Sequence, residues 1–431
     1  MQNKADTELV RRQNRGLVLA ALRRSGPLAR VELGEETGLS PATISAITGD
    51  LIAEHVVVTA EGEERSPRSA GRGRPRVALA LNPEAAYVLG VNIVHNHVTL
   101  VLADFAGRAR DRTQLTIDTY HADREAFGPT LGEALRSYLA VQGVERERIA
   151  EVSIAAQGVI DASTGRILWS PAFAQGDVPV SGPVSEALGI PSTISNDVDR
   201  VAQALNWQDP KRFGGTFAVI FIAHGVGMGM FIEGKPFGGA FGAGAEFGHV
   251  NHIPGGALCR CGRHGCLEAY VADYAIYRTL ENLPPDLPPT EINPEPEAMR
   301  RFEERAKAGD ERARLAYRQA GLALGYGLAR LIAIINPERV VLTGSGLGAF
   351  GLMEDGFNVG LEEGLVPDLR RLTRIEMMPA DFDLVDVGIL ASALQRLDRE
   401  VFAASDHRPV PKPSRRSGWP LRPAAPTLVG R

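Results

Sequence analysis

The sequence predicts an N-terminal winged helix-turn-helix followed by an α/β region folded as two lobes, and three observations carry that expectation. Residues 9–53 hold three helical patterns punctuated by glycine, residues 87–343 alternate apolar β-branched runs with helical patterns twice over, and one glycine-rich loop holds all three cysteines.

Leu9 to Leu22 places apolar residues at helical spacing, and Gly26-Pro27 stops the run. Val31 to Thr37 gives a short second helix closed by Gly38. Ser40 then supplies an N-cap and Pro41 a first helical position, opening a third helix through Ala53 with Ile44, Ile47 and Leu51 on one face. That order of elements is the helix-turn-helix arrangement. Segments 55–59 and 77–81 read as two strands around a charged loop, in the manner of a wing.

From Ala86 the pattern becomes α/β. Tyr87–Ile93 and Val98–Ala103 suit neighbouring strands, Glu125–Ala140 is helical, and Glu151–Ala155 is a strand. Ser192–Ser195 leads into a helix over Val198–Leu205, and Phe217–Ile222 with Gly229–Ile232 forms a strand pair around a glycine loop. A proline-rich surface loop runs from Pro284 to Pro296, Ala313–Ile335 is a long helix, and Arg339–Thr343 is a buried strand ending at Gly344-Ser345-Gly346. A cleft between the two lobes follows. The segment from His407 holds six prolines, six Lys or Arg and no acid, which predicts disorder.

A chain of 431 residues with 44% hydrophobic content has room for two or three domains, each with its own core. Three crowded cysteines make no disulfide framework and fit a reducing compartment. No apolar run reaches the roughly 18 residues of a membrane span, and the N-terminus lacks a signal-peptide centre. A cytoplasmic protein with no membrane partner is expected. The net charge of −5 excludes a globally basic nucleic-acid binder, yet residues 65–76 carry five arginines and no acid.

On the exposed face of the third helix, Ser40, Ala42, Thr43 and Ser45 would meet base edges in a major groove. Hydroxyls discriminate bases weakly and this helix has no Lys or Arg, so phosphate contacts fall to Arg11, Arg12, Arg15 and the arginines at 65, 68, 72, 74 and 76. Arg72-Gly73-Arg74-Pro75 suits a narrow A·T minor groove; a solvated linker is the alternative reading. Double-stranded operator DNA is the expected partner, and paired recognition modules imply a homodimer or homotetramer.

Cys259, Cys261 and Cys266 sit among glycines with His249, His252 and His264 close by, a pattern able to wrap one zinc ion tetrahedrally. Three cysteines need a histidine. His249 leads, because it lies just past a glycine run and leaves the cysteine loop free to fold back. Asn196-Asp197 follows a strand and opens a helix, where Asp197 serves either as a base toward a hydroxyl or as an ordinary cap. Glu246 and Glu268 flank the cysteine loop as a candidate sugar pocket, since a carboxylate accepts hydrogen bonds from two adjacent hydroxyls.

The stretch GAEFGH followed by CRCGRHGCLEAY closely resembles the ROK family, named for repressors, open reading frames and kinases. The resemblance extends through Gly158 with Ile160-Asp161, Asn196-Asp197, the loop Gly225 to Gly229, Asn336-Pro337-Glu338 and Val340 to Gly344. It implies an actin-like, ribonuclease-H-like, ATPase-type pair of lobes binding a sugar in the cleft. It places structural Zn2+ on His249, Cys259, Cys261 and Cys266, and carries sugar contacts to Gly158, Asn196, Asp197, Glu246, His249 and Glu268. The expected divisions are a winged helix-turn-helix over 1–64, an Arg-rich wing or linker over 65–83 and lobes over 84–200 and 201–383. A C-terminal helix over 384–400 returns to the first lobe, and a basic tail covers 401–431.

Departures from the family's kinases shape the functional expectation. Those kinases open their first strand with an Asp-x-Gly-Gly-Thr phosphate loop, where this chain has Asn92-Ile93-Val94-His95-Asn96; Ala223-His224 stands for the usual Gly-Thr of the second loop. Many family sugar sites have Asn after the proline of Pro171-Ala172-Phe173. The expectation is a sugar-responsive regulator of the xylose- or N-acetylglucosamine-repressor-like type, not an enzyme, with Asp197 a vestigial base. A sugar kinase bearing an N-terminal DNA-binding extension is the alternative.

Overall fold

The computed structural model describes residues 2–60, 77–292, 294–381 and 383–403, of which residues 2–7 are described by their backbone alone. Helix α1 (Gln2–Ser25) starts before the apolar periodicity does, because the preceding polar residues are good helix formers. It is followed by β1 (Leu28–Ala29), α2 (Arg30–Thr37) and α3 (Pro41–Ala53), whose N-cap Ser40 accepts the Thr43 N–H at 3.2 Å. Strands β2 (Val57–Thr59) and β3 (Ala78–Leu81) complete a three-stranded antiparallel sheet in the order β1-β3-β2. Three helices and this hairpin make a winged helix-turn-helix.

The first lobe begins with β4 (Tyr87–Val94), β5 (His97–Asp104) and β6 (Ala109–Thr116) and crosses through α4 (Arg124–Gln142) to β7 (Ile149–Ala156). A small sheet of β8 (Val159–Asp161), β9 (Arg166–Trp169) and β10 (Val178–Pro179) precedes α5 (Ser181–Leu188) and β11 (Ser192–Asn196), which runs directly into α6 (Asp197–Gln208). The main sheet reads β6-β5-β4-β7-β11, an antiparallel meander to which β7 and β11 add in parallel.

The second lobe repeats that plan. It comprises β12 (Phe217–Ile222), β13 (Val226–Ile232), β14 (Lys235–Pro236), α7 (Glu268–Val271), α8 (Asp273–Leu280), α9 (Pro296–Lys307), α10 (Glu311–Ile335), β15 (Arg339–Thr343), α11 (Phe350–Gly364), α12 (Pro367–Leu372) and β16 (Arg374–Met377). Its sheet reads β14-β13-β12-β15-β16, again a meander followed by two parallel strands. Two sheets of identical order make the actin-like, ribonuclease-H-like pair.

After the second sheet, α13 (Asp383–Arg396) packs on the first-lobe strands β4 and β7 and along α6. Gly388 lets it approach α6, since a Cβ there would lie 1.8 Å from the Arg200 carbonyl oxygen. The helix continues as one wide turn over Leu397–Val401 that meets α1.

The apolar core of the N-terminal module, with Leu19, Leu33, Ile44, Leu51 and Leu79, runs unbroken into Val88, Val101, Phe105, Leu394 and Phe402. Two buried arginines close this seam. Arg23 forms a bidentate pair with Asp398 at 2.7 and 2.8 Å, donates to the Phe105 carbonyl and lies over the Phe105 ring. Arg15 is fully buried, donates to the Phe402 carbonyl at 3.1 and 2.9 Å and pairs with Glu54. The expectation that Arg15 contacts phosphate is thereby corrected: its guanidinium is consumed inside the protein. Arg11 pairs with Asp50 at 2.8 Å, and Arg12 donates to the Glu400 carbonyl at 2.9 Å.

Candidate ligand cleft and metal site

On the first lobe the end of β11 delivers Asn196 as the N-cap of α6, its side-chain oxygen accepting the Val198 N–H at 2.7 Å while its amide donates to the Gly158 carbonyl at 2.8 Å. Capping therefore falls to Asn196. Asp197 is released from that duty and occupies the first helical position, accepting the Val198 N–H at 2.9 Å. Gly158 has φ of +104°, and a Cβ there would lie 2.2 Å from the Trp169 carbonyl oxygen, so glycine is required where β8 turns against β9.

On the second lobe a 3-10 turn over Phe247–His249 places Glu246 and His249, and a tight knuckle holds the cysteines. The knuckle is closed by Cys259 N–H to Arg263 O at 2.9 Å and Gly262 N–H to Cys259 O at 3.0 Å, with a bridge between Asn251 and Cys266. The donor atoms of His249, Cys259, Cys261 and Cys266 all lie within 4.8 Å of one another. Cys261 and Cys266 sulfurs are 3.7 Å apart, and Cys259 Sγ lies 3.6 Å from His249 Nδ1. Tetrahedral zinc with Zn–S of about 2.3 Å needs donor spacings of about 3.8 Å, so the residues fit that ion. A hydrogen bond from Cys259, aided by His249, holds the Cys261 thiol far below its ordinary range, which supplies the thiolate that a metal needs. His252 packs on Tyr270 and His264 bonds the Gly256 carbonyl, both outside this donor set.

Glu268 is 5% exposed and held by the protein itself. It accepts the Val226 N–H at 3.1 Å, lies 3.6 Å from Cys259 Sγ and receives the Tyr274 hydroxyl at 3.4 Å. It thus ties the metal knuckle to β13. Three other carboxyl groups differ. Burial pushes Asp197, Asp199 and Glu246 each up to about 7; Asp197 and Glu246 raise Asp199 further, and Glu268 and Asp197 do the same to Glu246. None has a salt bridge among the described residues. Asp199 escapes sequence reasoning, although its place in the first turn of α6, two residues after Asp197, is the signal that marks it.

The indole of Trp169 also escapes it. It meets the His249 ring edge-to-face at 5.2 Å, the first lobe touching the metal site of the second.

The glycines of the Gly225–Gly229 loop serve packing. Cβ atoms at Gly227 and Gly229 would lie 2.7 Å from Val198 Cγ2 and 2.4 Å from the Val198 carbonyl, so they let α6 lie against β13. Where the kinases' first phosphate loop would stand, Val94 and His97 pair across a two-residue turn of His95 and Asn96. Asn96 Oδ1 accepts the Thr119 N–H at 3.0 Å, and His95 packs on Tyr120. Ala172 and Phe173 are buried in the first-lobe core.

In the N-terminal module Ala42 and Ser45 are exposed on α3, Thr43 is half-buried, and the Ser40 and Thr43 hydroxyls bond each other at 2.9 Å. Arg72 and Arg74 lie outside the described residues.

Duplicated meander-plus-parallel sheets, a cleft between them and a winged helix-turn-helix seated on the first lobe define a two-lobed actin-like protein with an added N-terminal module. The ROK family model matches residues 88–361, more than half of the chain, and the chain belongs to that family. It is 26% identical over 342 residues to the xylose repressor of Caldicellulosiruptor bescii, covering 78% of this chain and 83% of the relative. It is 24% identical over 341 residues to the DNA-binding transcriptional dual regulator NagC of Escherichia coli, covering 79% and 82%. Among solved structures, a ROK family transcriptional regulator described as a homolog of the E. coli MLC protein aligns with a TM-score of 0.74 and 22% identity, over 92% of this chain and 99% of that one. The ROK hexokinase of Thermus thermophilus aligns with a TM-score of 0.55 and 24% identity, over 72% and 97%.

Proposed function

We propose that this protein is a DNA-binding transcriptional repressor that is released from its operator by a sugar or sugar derivative bound between the lobes. The observation that carries this reading is the seam: a winged helix-turn-helix shares a continuous core and two buried arginines with the lobe that also supplies Asn196 and Asp197. Relatives named as repressors, aligned over nearly four fifths of the chain, support it.

In this reading the sugar's hydroxyls bond Asn196, Asp197 and Glu246, with Gly158, His249 and Glu268 shaping the wall. Zinc on His249, Cys259, Cys261 and Cys266 stiffens that wall, and with four protein ligands it leaves no position for a reacting water. Ala42, Thr43 and Ser45 face the major groove with Ser40 at their helix cap, Arg72 and Arg74 reach the minor groove, and the working unit is a homodimer or homotetramer on palindromic DNA.

Signal transfer follows the packing. A ligand that draws Asp197 and Glu246 together moves α6 against α13, to which it is joined at Gly388 and by the Gln203–Gln395 bond of 3.1 Å. The far end of α13 holds α1. Such coupling requires sugar affinity to differ between the DNA-bound and free states.

Phosphoryl transfer has poor support here. The first phosphate loop is replaced by a filled turn at His95-Asn96, and Gly227 and Gly229 are accounted for by α6. The test is a mobility-shift assay on operators selected from a random duplex pool, across aldohexoses, aldopentoses, their 2-acetamido forms and their phosphates. At least one should weaken operator binding about tenfold or more, a coupling of about 1.4 kcal/mol. Affinity constant across the panel, or ADP release at ordinary kinase rates, overturns the reading.

A further inference from the structure

We infer that Trp169 is a ligand-contacting, specificity-determining residue of the cleft: its indole is the platform on which the apolar C–H face of a pyranose ring rests. This rests on the sugar cleft proposed above and adds a residue to it.

Trp169 ends β9, where its carbonyl crowds Gly158 and its strand pairs with Val159. Gly158 in turn accepts the Asn196 amide, so the backbone under the indole is bonded to the start of α6, beside Asp197. The ring itself leaves the first lobe and meets His249 of the second, edge-to-face. It belongs to none of the apolar cores of the described residues. Its N–H makes no hydrogen bond among them. A large aromatic held by its backbone, half-buried and committed to no core has a face to offer in the cleft.

The polar complement of the cleft shows what that face receives. Asn196, Asp197 and Glu246 supply acceptors and a donor for hydroxyls, whereas Ala172, in the segment where family sugar sites carry an amide, is buried and apolar. A ring sugar presents hydroxyls around its edge and C–H groups on its face, which matches carboxyl groups and an amide around an indole. An open-chain polyol has the hydroxyls without the face.

The experiment uses the full-length, zinc-loaded protein and reads thermal shift and intrinsic fluorescence during titration with the sugar panel above and with sorbitol as an open-chain control. Wild type should be stabilised by at least one pyranose and not by sorbitol, with a change in emission. Trp169→Phe should bind that sugar within about threefold of wild type while losing the emission change, and Trp169→Ala should bind about tenfold or more weakly at equal zinc content. Wild type that responds to no sugar overturns the cleft reading and this inference together. Wild type that responds while Trp169→Ala binds equally well, or sorbitol that binds as well as the pyranose, overturns this inference alone.

Discussion

Two regions of the molecule bury charge, and they do it in opposite ways. At the seam between α1 and residues 398–402, each buried guanidinium meets acceptors it can saturate: Arg23 has both oxygens of Asp398 and a carbonyl, and Arg15 has Glu54 and the Phe402 carbonyl. In the cleft, Asp197, Asp199 and Glu246 lie near one another with no cation bridging them, and all three are pushed up to about 7. Matched burial fixes a geometry; unmatched burial stores an unfavourable interaction that a ligand rich in hydroxyl donors relieves. The protein holds its N-terminal module by the first device and keeps its cleft responsive by the second.

The sharpest way to break this contrast is to unmatch the seam. Asp398→Ala leaves Arg23 buried without its carboxylate and should lower unfolding free energy by about 3–5 kcal/mol in denaturant titrations. A loss below about 1 kcal/mol would mean that water reaches Arg23 and that the seam is no more fixed than the cleft.

A smaller effect is expected at the metal knuckle, where zinc balances the thiolates beside the unmatched carboxyl groups. Elemental analysis should find about one zinc per chain, and Cys261→Ser should hold it at least about tenfold more weakly against a competing chelator. Full retention of zinc by that variant would remove Cys261 from the ligand set.

The smallest effect concerns pH. The folded state raises the Asp199 pKa from 3.8 to about 7, so between those values the folded protein binds more protons than the unfolded one, and this group's contribution to stability declines as pH rises. Asp199→Asn should therefore gain thermal stability relative to wild type at pH 8 and gain little at pH 4. An equal difference at both pH values would place the cause elsewhere than in charge.

The sequence makes some of this architecture readable and hides the rest for physical reasons. Ser40-Pro41 marks the start of α3 and Ala53 its end, because capping chemistry is local. The metal donors are equally legible, since three of the four lie within eight residues. Strand β6 is missed because ARDRTQLT is an edge strand with little apolar content. Helix α11 is missed because its glycines suggest turns. They are there because α10 comes so close that a Cβ at Gly356 would lie 2.0 Å from the Arg318 carbonyl. Arg15 is misread as a phosphate contact because an arginine on a charged helix resembles a solvated face, while its partner Phe402 lies 387 residues away. Trp169 gives no local signal at all: its meaning depends on His249, which the other lobe supplies.

The same seam has a consequence for how the molecule is made. Arg15 and Arg23 leave the ribosome early in synthesis, whereas Phe402 and Asp398 follow 387 and 375 residues later. Through nearly all of translation the N-terminal helices lack the surface that finishes their core. Seating of the module is thus a test of completeness: a polypeptide cut short before Asp398 carries a helix-turn-helix with nothing to hold Arg23, and only a finished chain presents it in a fixed orientation.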